Sequence, residues 1–339
     1  MPADEGRKPD LATLAVHAGV EARETNDAVH AERVQRRLAA LEGTEAALLL
    51  SSGMGAIACA HLALLRPGDH LIASSWISDA TAELFTKEFT SLGIEVSLVN
   101  PLETRVWRKY MRKETRAVFL ETPVHATCRV LDLRPVSYVT KESGLALIVD
   151  STVASSINLR PAEHGADVVI HSATSFLSGR DAAAGGVVCG SSSYVDEVRR
   201  KMTLWGQTPD PFGAWLLERD LETLDVRVQR QNRNAMAVAK WGAGQSQIGR
   251  VHYSGLPSHP DHQTASETMN GFGGLLGIEL VDGTAAERLL RKLKVIRHAS
   301  TIGGVDSVVC NGSPDGFLRL SLGIESAQDV IGDLEQALH

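Results

Sequence analysis

The 339-residue sequence has no excess of positive charge: 34 Lys and Arg stand against 41 Asp and Glu, for a formal net charge of −7. Its basic residues are scattered and form no stripe, which argues against a nucleic-acid partner. Cysteine is scarce and unpaired in sequence. The four residues Cys59, Cys128, Cys189 and Cys310 lie far apart, with no C-x-x-C pair, so neither a zinc ribbon nor a disulfide framework is expected. Buried free thiols in a reducing compartment are the expectation. There is no internal repeat and no low-complexity linker. No apolar run approaches membrane-spanning length, and the polar start MPADEGRKPD has no secretory h-region. The expected protein is therefore cytoplasmic and needs no membrane.

What is present is alternation. Short apolar runs recur at Ala46-Leu50, His70-Ser74, Glu95-Val99, Ala117-Glu121, Leu145-Asp150, Val168-His171 and Gly186-Cys189, separated by helical patterns. Runs of this length without polar alternation fit strands buried on both faces, so a mainly parallel sheet wrapped by helices is predicted. The stretch ERVQRRLAALEG from Glu32 places Val34, Leu38 and Leu41 at helical spacing, with Gly43 as its stop. One long helix is predicted from about Phe212 to beyond Leu224. Past residue 232 the text becomes GFGGLLGIEL, a Lys/Arg-rich helix at 286–294, FLRLSLG and a closing helix near 326–338, which together read as a smaller α+β unit. The expected organisation is a short N-terminal segment (1–31), a large α/β domain (32–232) and a small C-terminal domain (233–339).

Open α/β sheets bind ligands at the carboxyl ends of their strands. Four polar groups fall at such ends: Ser51-Ser52-Gly53-Met54, Glu121-Thr122-Pro123, Asp150-Ser151-Thr152 and His171-Ser172-Ala173-Thr174. The SSGMG text leads directly into a helix, whose free backbone N–H groups suit a phosphate. One shared pocket is expected.

The segments LATLAVHAG, LAALEGTEAALLLSSGMGAI, FLETPVHATCRVLDL, IVDSTVAS, HGADVVIHSAT, PFGAWLLERDLETL, GLPSHPDH and LRLSLGIES resemble, in order, those of the Cys/Met-metabolism family of pyridoxal-phosphate (PLP) enzymes. That family includes cystathionine synthases and lyases and methionine γ-lyase. The resemblance implies the aminotransferase-like fold (PLP fold type I) and a homodimer acting on a small, amino-acid-like substrate. It places a phosphate cup on Gly53, Met54, Ser172 and Thr174, the carboxylate for the pyridine nitrogen on Asp150, and the substrate-carboxylate arginine on Arg319.

It also locates losses. Where the family carries its Schiff-base lysine this chain has Ser175; the cofactor-stacking tyrosine falls at Ser78, and an asparagine becomes His125. An N-terminal Tyr-x-Arg segment that reaches the neighbouring subunit is missing, and a loop before LRLSLG has shrunk to VCNGSPDG. A serine hydroxyl forms no imine, so lysine-dependent PLP chemistry is not expected. Any PLP would be held non-covalently, and the pocket also reads as one that binds none. Three readings stay open: a repurposed enzyme using Ser175, His125, Ser78, Asp79 or Arg180; an enzyme using free PLP; and a non-catalytic ligand- or partner-binding relative. A Ser175–His125–Asp150 relay is not expected, because the family sets these positions on different sides of the cofactor.

Overall fold

The computed structural model describes residues 29–125, 127–180, 185–311 and 317–339. Two sheets organise the chain. The larger has seven strands in the order β1-β7-β6-β5-β4-β2-β3. Here β1 is Ala46–Leu50, β2 His70–Ser74, β3 Glu95–Val99, β4 Thr115–Glu121, β5 Ala146–Asp150, β6 Val168–Ser172 and β7 Gly186–Gly190. All neighbours are parallel except the two pairs made by β7, which runs antiparallel to β6 and β1. The apolar runs mark these strands to within about two residues. Val118, Phe119, Leu120, Leu147, Ile148 and Val149 are all essentially buried, as a doubly covered sheet requires.

Helix α1 (Val29–Glu42) precedes β1, and Gly43 ends it at φ +72°. Residues 29–31, assigned from the sequence to the short N-terminal segment, therefore belong to this helix; residues 1–28 of that segment lie outside the described residues. Helix α2 (Gly53–Leu64) follows β1 and packs on the sheet through Ala56, Ile57 and Ala60. Helix α3 spans Ser192–Leu204.

The single long helix expected from Phe212 is two helices, α4 (Pro211–Leu221) and α5 (Leu224–Gly242). The break comes at Thr223, which leaves helical geometry at ψ 6° and turns its hydroxyl onto the Asp220 carbonyl. A Thr hydroxyl competing for backbone in this way interrupts a helix without disturbing its apolar spacing. The periodicity alone could not reveal it. Helix α5 runs on through residue 232, where the small domain was expected to begin.

The second sheet has five strands, β10-β11-β12-β9-β8, antiparallel except for β10–β11. They are β8 Ile248–His252, β9 Leu275–Leu280, β10 Arg297–His298, β11 Val308–Asn311 and β12 Phe317–Ser321. Helices α6 (Ala285–Lys292) and α7 (Ala327–Leu338) cover it, with Leu289, Val330 and Leu334 buried beside Leu276 and Leu320.

All four cysteines are free thiols. Among the described residues no helix is long and apolar enough to cross a membrane, and no group of side chains could hold a metal ion.

Candidate active site

The carboxyl ends of β1, β4, β5 and β6 open into one cavity of about 440 Å³. Gly53, Met54, Asp150, Ser172, Thr174, Ser175, His125 and Ser78 all line it, together with Glu121 and Thr152. No lysine is among the described residues of its wall.

One end of the cavity is the start of α2. Ser52 caps it by accepting the Gly55 N–H at 3.0 Å, and the Ser52 carbonyl takes the Ala56 N–H. That leaves the N–H groups of Gly53 and Met54 without an acceptor among the described residues. Gly53 lets the helix start approach β6 closely: a Cβ on it would stand 3.0 Å from the Ser172 Cβ, a tight contact. Thr174 accepts the Gly185 N–H at 3.4 Å, so its hydroxyl proton remains available. Two backbone donors at a helix start, with two hydroxyls beside them, form an anion cup.

The floor carries charge. Asp150 is partly open to the cavity and otherwise enclosed by protein; one of its oxygens accepts the Thr152 N–H at 2.9 Å. Burial pushes its carboxyl up to about 6, helped by the Glu121 carboxylate at the adjacent strand position and opposed by Thr152 and His171. Beneath it His171 and Glu42 form a fully buried pair, Nε2 to Oε1, at 2.6 Å. Burial alone would discharge His171, but Glu42 and Asp150 outweigh it and raise its pKa.

Asp150 therefore makes stability depend on pH. The unfolded chain releases this proton near 3.8, and the folded one holds it to about 6. Over that window the folded state binds more protons, so its contribution to stability declines as pH rises and is flat above. An Asp150→Asn variant should lose this slope and be more stable than the parent above pH 6, which urea melts across the range would measure. A parent slope that persists in the variant would assign the titration to another group.

Ser175 sits in a π-helical turn, Ala173–Leu177, at ψ −124°, and its carbonyl accepts the Gly179 N–H at 2.8 Å. Its hydroxyl faces no base: among the described residues it has no hydrogen-bond partner, so nothing activates it as a nucleophile. Ser78 also lines the wall, but its hydroxyl caps the helix Asp79–Glu83, accepting from Thr81 N at 3.2 Å. Asp79 is exposed beyond the wall, and Arg180 points away, 3.7 Å from Asp220. Arg319 is half-buried on β12. Its Nη2 approaches the Ser300 carbonyl at 3.4 Å, and it is the segment Ser300-Thr301-Ile302 that reaches the wall.

The sequence places Glu121 at a strand end of the shared pocket but gives it no individual role. Its Oε1 accepts the His125 backbone N–H at 2.7 Å and lies 3.2 Å from His125 Nδ1, while Oε2 accepts the Ser78 N–H at 3.0 Å. His125 thus pairs with Glu121, and with neither Asp150 nor Ser175. The available signal was the i, i+4 spacing of Glu121 and His125 across Thr122-Pro123.

A seven-stranded, mainly parallel sheet with an anion cup at a helix start, a largely enclosed aspartate at a neighbouring strand end and a smaller α+β sheet defines the aminotransferase-like architecture, PLP fold type I. The crystal structure of metB from Corynebacterium glutamicum superposes with a TM-score of 0.93 at 27% identity, over 97% of this chain and 98% of that one. The family model of Cys/Met metabolism PLP-dependent enzymes matches residues 20–339, and the chain belongs to that family. It is 34% identical to the cystathionine gamma-synthase of Mycobacterium leprae, over 98% of this chain and 95% of the relative. An L-methionine gamma-lyase of Pseudomonas putida is 32% identical, over 90% of this chain and 82% of the relative. The alignment to the mycobacterial protein runs to 367 positions, so that relative carries residues with no counterpart among the 339 here.

Proposed function

We propose that this chain is an enzyme that transforms an amino-acid-derived small molecule in the cavity without a covalent lysine anchor. The observation that carries this reading is the composition of the wall. The anion cup and the enclosed Asp150 are together, and no described lysine joins them.

The residues fit the two ends of PLP. The unpaired N–H groups of Gly53 and Met54 with the hydroxyls of Ser172 and Thr174 would hold its phosphate, and Asp150, whose carboxyl is otherwise costly to ionise, would face its ring nitrogen. PLP bound there non-covalently would supply an electron sink. The chain itself contributes the rest: the α2 start binds the anion, Asp150 neutralises a ring cation, Glu121 and His125 can carry a proton, and Arg319 would take a substrate carboxylate once the 300–302 segment admits it. A transsulfuration-type lyase or γ-substitution reaction with free PLP is the second reading, favoured by the enclosed Asp150. Four free thiols, three of them buried and Cys310 partly so, support a cytoplasmic setting.

Equilibrium dialysis with PLP tests the reading. Saturable binding that inorganic phosphate competes for, and that Asp150→Ala weakens at least tenfold, supports it. Absence of binding for both PLP and phosphate would favour the non-catalytic relative.

We also propose a two-fold homodimer. Leu204, Trp205 and Phe212 are 69%, 54% and 64% exposed at the end of α3 and the start of α4, and Phe212 stacks on Trp215 at 5.6 Å. Large apolar side chains exposed in this way need cover. Light scattering at micromolar concentration should return about twice the 36.4 kDa chain mass. A clean monomer would instead call for a different partner protein.

A further inference from the structure

We propose that Glu121 positions His125 as the proton carrier of this cavity, holding Nδ1–H so that Nε2 is the nitrogen presented to a bound molecule. The proposal rests on the reading that the cavity works on such a molecule. It adds which residue orients the histidine and which nitrogen acts.

The donors around Glu121 decide the tautomer. Its two oxygens accept the backbone N–H groups of Ser78 and His125, at 3.0 and 2.7 Å. Each oxygen thus already serves as an acceptor, the role that a carboxylate fills with every lone pair. Facing it at 3.2 Å, His125 Nδ1 is the donor in the arrangement proposed. In the neutral ring the lone pair then lies on Nε2, which has no hydrogen-bond partner among the described residues. Glu121 is nearly enclosed and His125 is 27% exposed on the same wall, so the carboxylate sits behind the imidazole and the free edge of the ring faces outward. An orienting carboxylate on one nitrogen fixes both the angle and the tautomer of the other.

The step this permits is a proton transfer without redox change. An X–H bond of the bound molecule breaks, its electron pair stays on X, and the proton forms Nε2–H. The imidazolium charge is held against Glu121, and the same proton returns to a second atom of the molecule. With no lysine among the described residues of the wall, some other side chain must move a proton between two ligand atoms, and His125 is placed for it. Glu121 touches the carrier and not the ligand, so it is a positioning residue.

The test uses the full chain without ligand, so it stands or falls independently of whether PLP binds. Long-range 1H–15N spectra of the histidine-labelled protein, taken where the imidazole is neutral, should show His125 protonated at Nδ1. Glu121→Ala should move it to the Nε2–H form that free imidazole favours, with the circular dichroism spectrum unchanged. Should that variant not fold, Glu121→Gln retains an acceptor but not the charge, and should slow carbethoxylation of His125 by diethylpyrocarbonate severalfold, read by peptide mass. Nε2–H in the parent protein, an unchanged tautomer in a folded Glu121→Ala, or an unchanged His125 modification rate in Glu121→Gln would each overturn the proposal.

Discussion

Replacing Gly186 by alanine should destabilise the protein and empty the anion cup together. Gly186 opens β7, and a Cβ on it would stand 2.6 Å from the Ser52 carbonyl carbon and 2.7 Å from the Ala56 Cβ. Those atoms are the backbone of the α2 cap and a fully buried helix residue, neither of which can swing aside like a flexible side chain. The clash must move the start of α2, which is the part that would bind an anion. Forced overpacking of this kind costs about 1–3 kcal/mol. Denaturant melts should show that loss, and affinity for inorganic phosphate should fall at least tenfold. Gly332→Ala is the matched control: it lies within α7, a Cβ there meets nothing within 4 Å, and helix propensity predicts a gain of about 0.5–1 kcal/mol. A Gly186→Ala protein with unaltered stability and phosphate affinity would mean that α2 is not seated as described.

The second large effect is a gain. Ser175→Lys should give a protein that PLP labels covalently, with about one reducible adduct per chain, where the parent gives none. Ser175 lines the cavity and its hydroxyl is bonded to nothing described, so a longer side chain displaces no interaction. Ser175 lines the same cavity as the cup and Asp150, so a lysine placed there has its amine within that space. Desolvation beside the cavity lowers a lysine pKa toward the range in which its amine is nucleophilic. Visible absorbance after adding PLP, followed by peptide mass analysis of the reduced protein, would read the outcome. Failure of the variant to trap PLP would show that position 175 does not face the bound carbonyl.

Much of this was legible in the sequence, because what the sequence encodes most plainly is which strands are buried and what stands at their ends. Doubly covered strands leave uninterrupted apolar runs, so β1 to β7 could be placed from Ala46 to Cys189, and the polar residues that follow four of them converge on one cavity. What stayed hidden depends on hydrogen-bond partners that spacing does not specify. Ser78 reads as a wall hydroxyl, yet it is spent capping the next helix. Arg319 lies on the expected strand but does not line the wall, where the 300–302 segment that its guanidinium touches stands instead, a matter of loop path. Glu121 looks like the last residue of a strand until Ser78 and His125 are seen bonded to it. His171 and Glu42 are distant in sequence and meet only because α1 packs on β1 and β7, which brings Glu42 to the His171 ring.

Borohydride reduction of the unmodified protein with saturating PLP, followed by peptide mapping, tests the central claim most directly. A cavity whose described wall holds no lysine should yield no phosphopyridoxyl peptide from its lining, with any PLP recovered free. A stoichiometric adduct on a lysine that the chain brings into this cavity would contradict it.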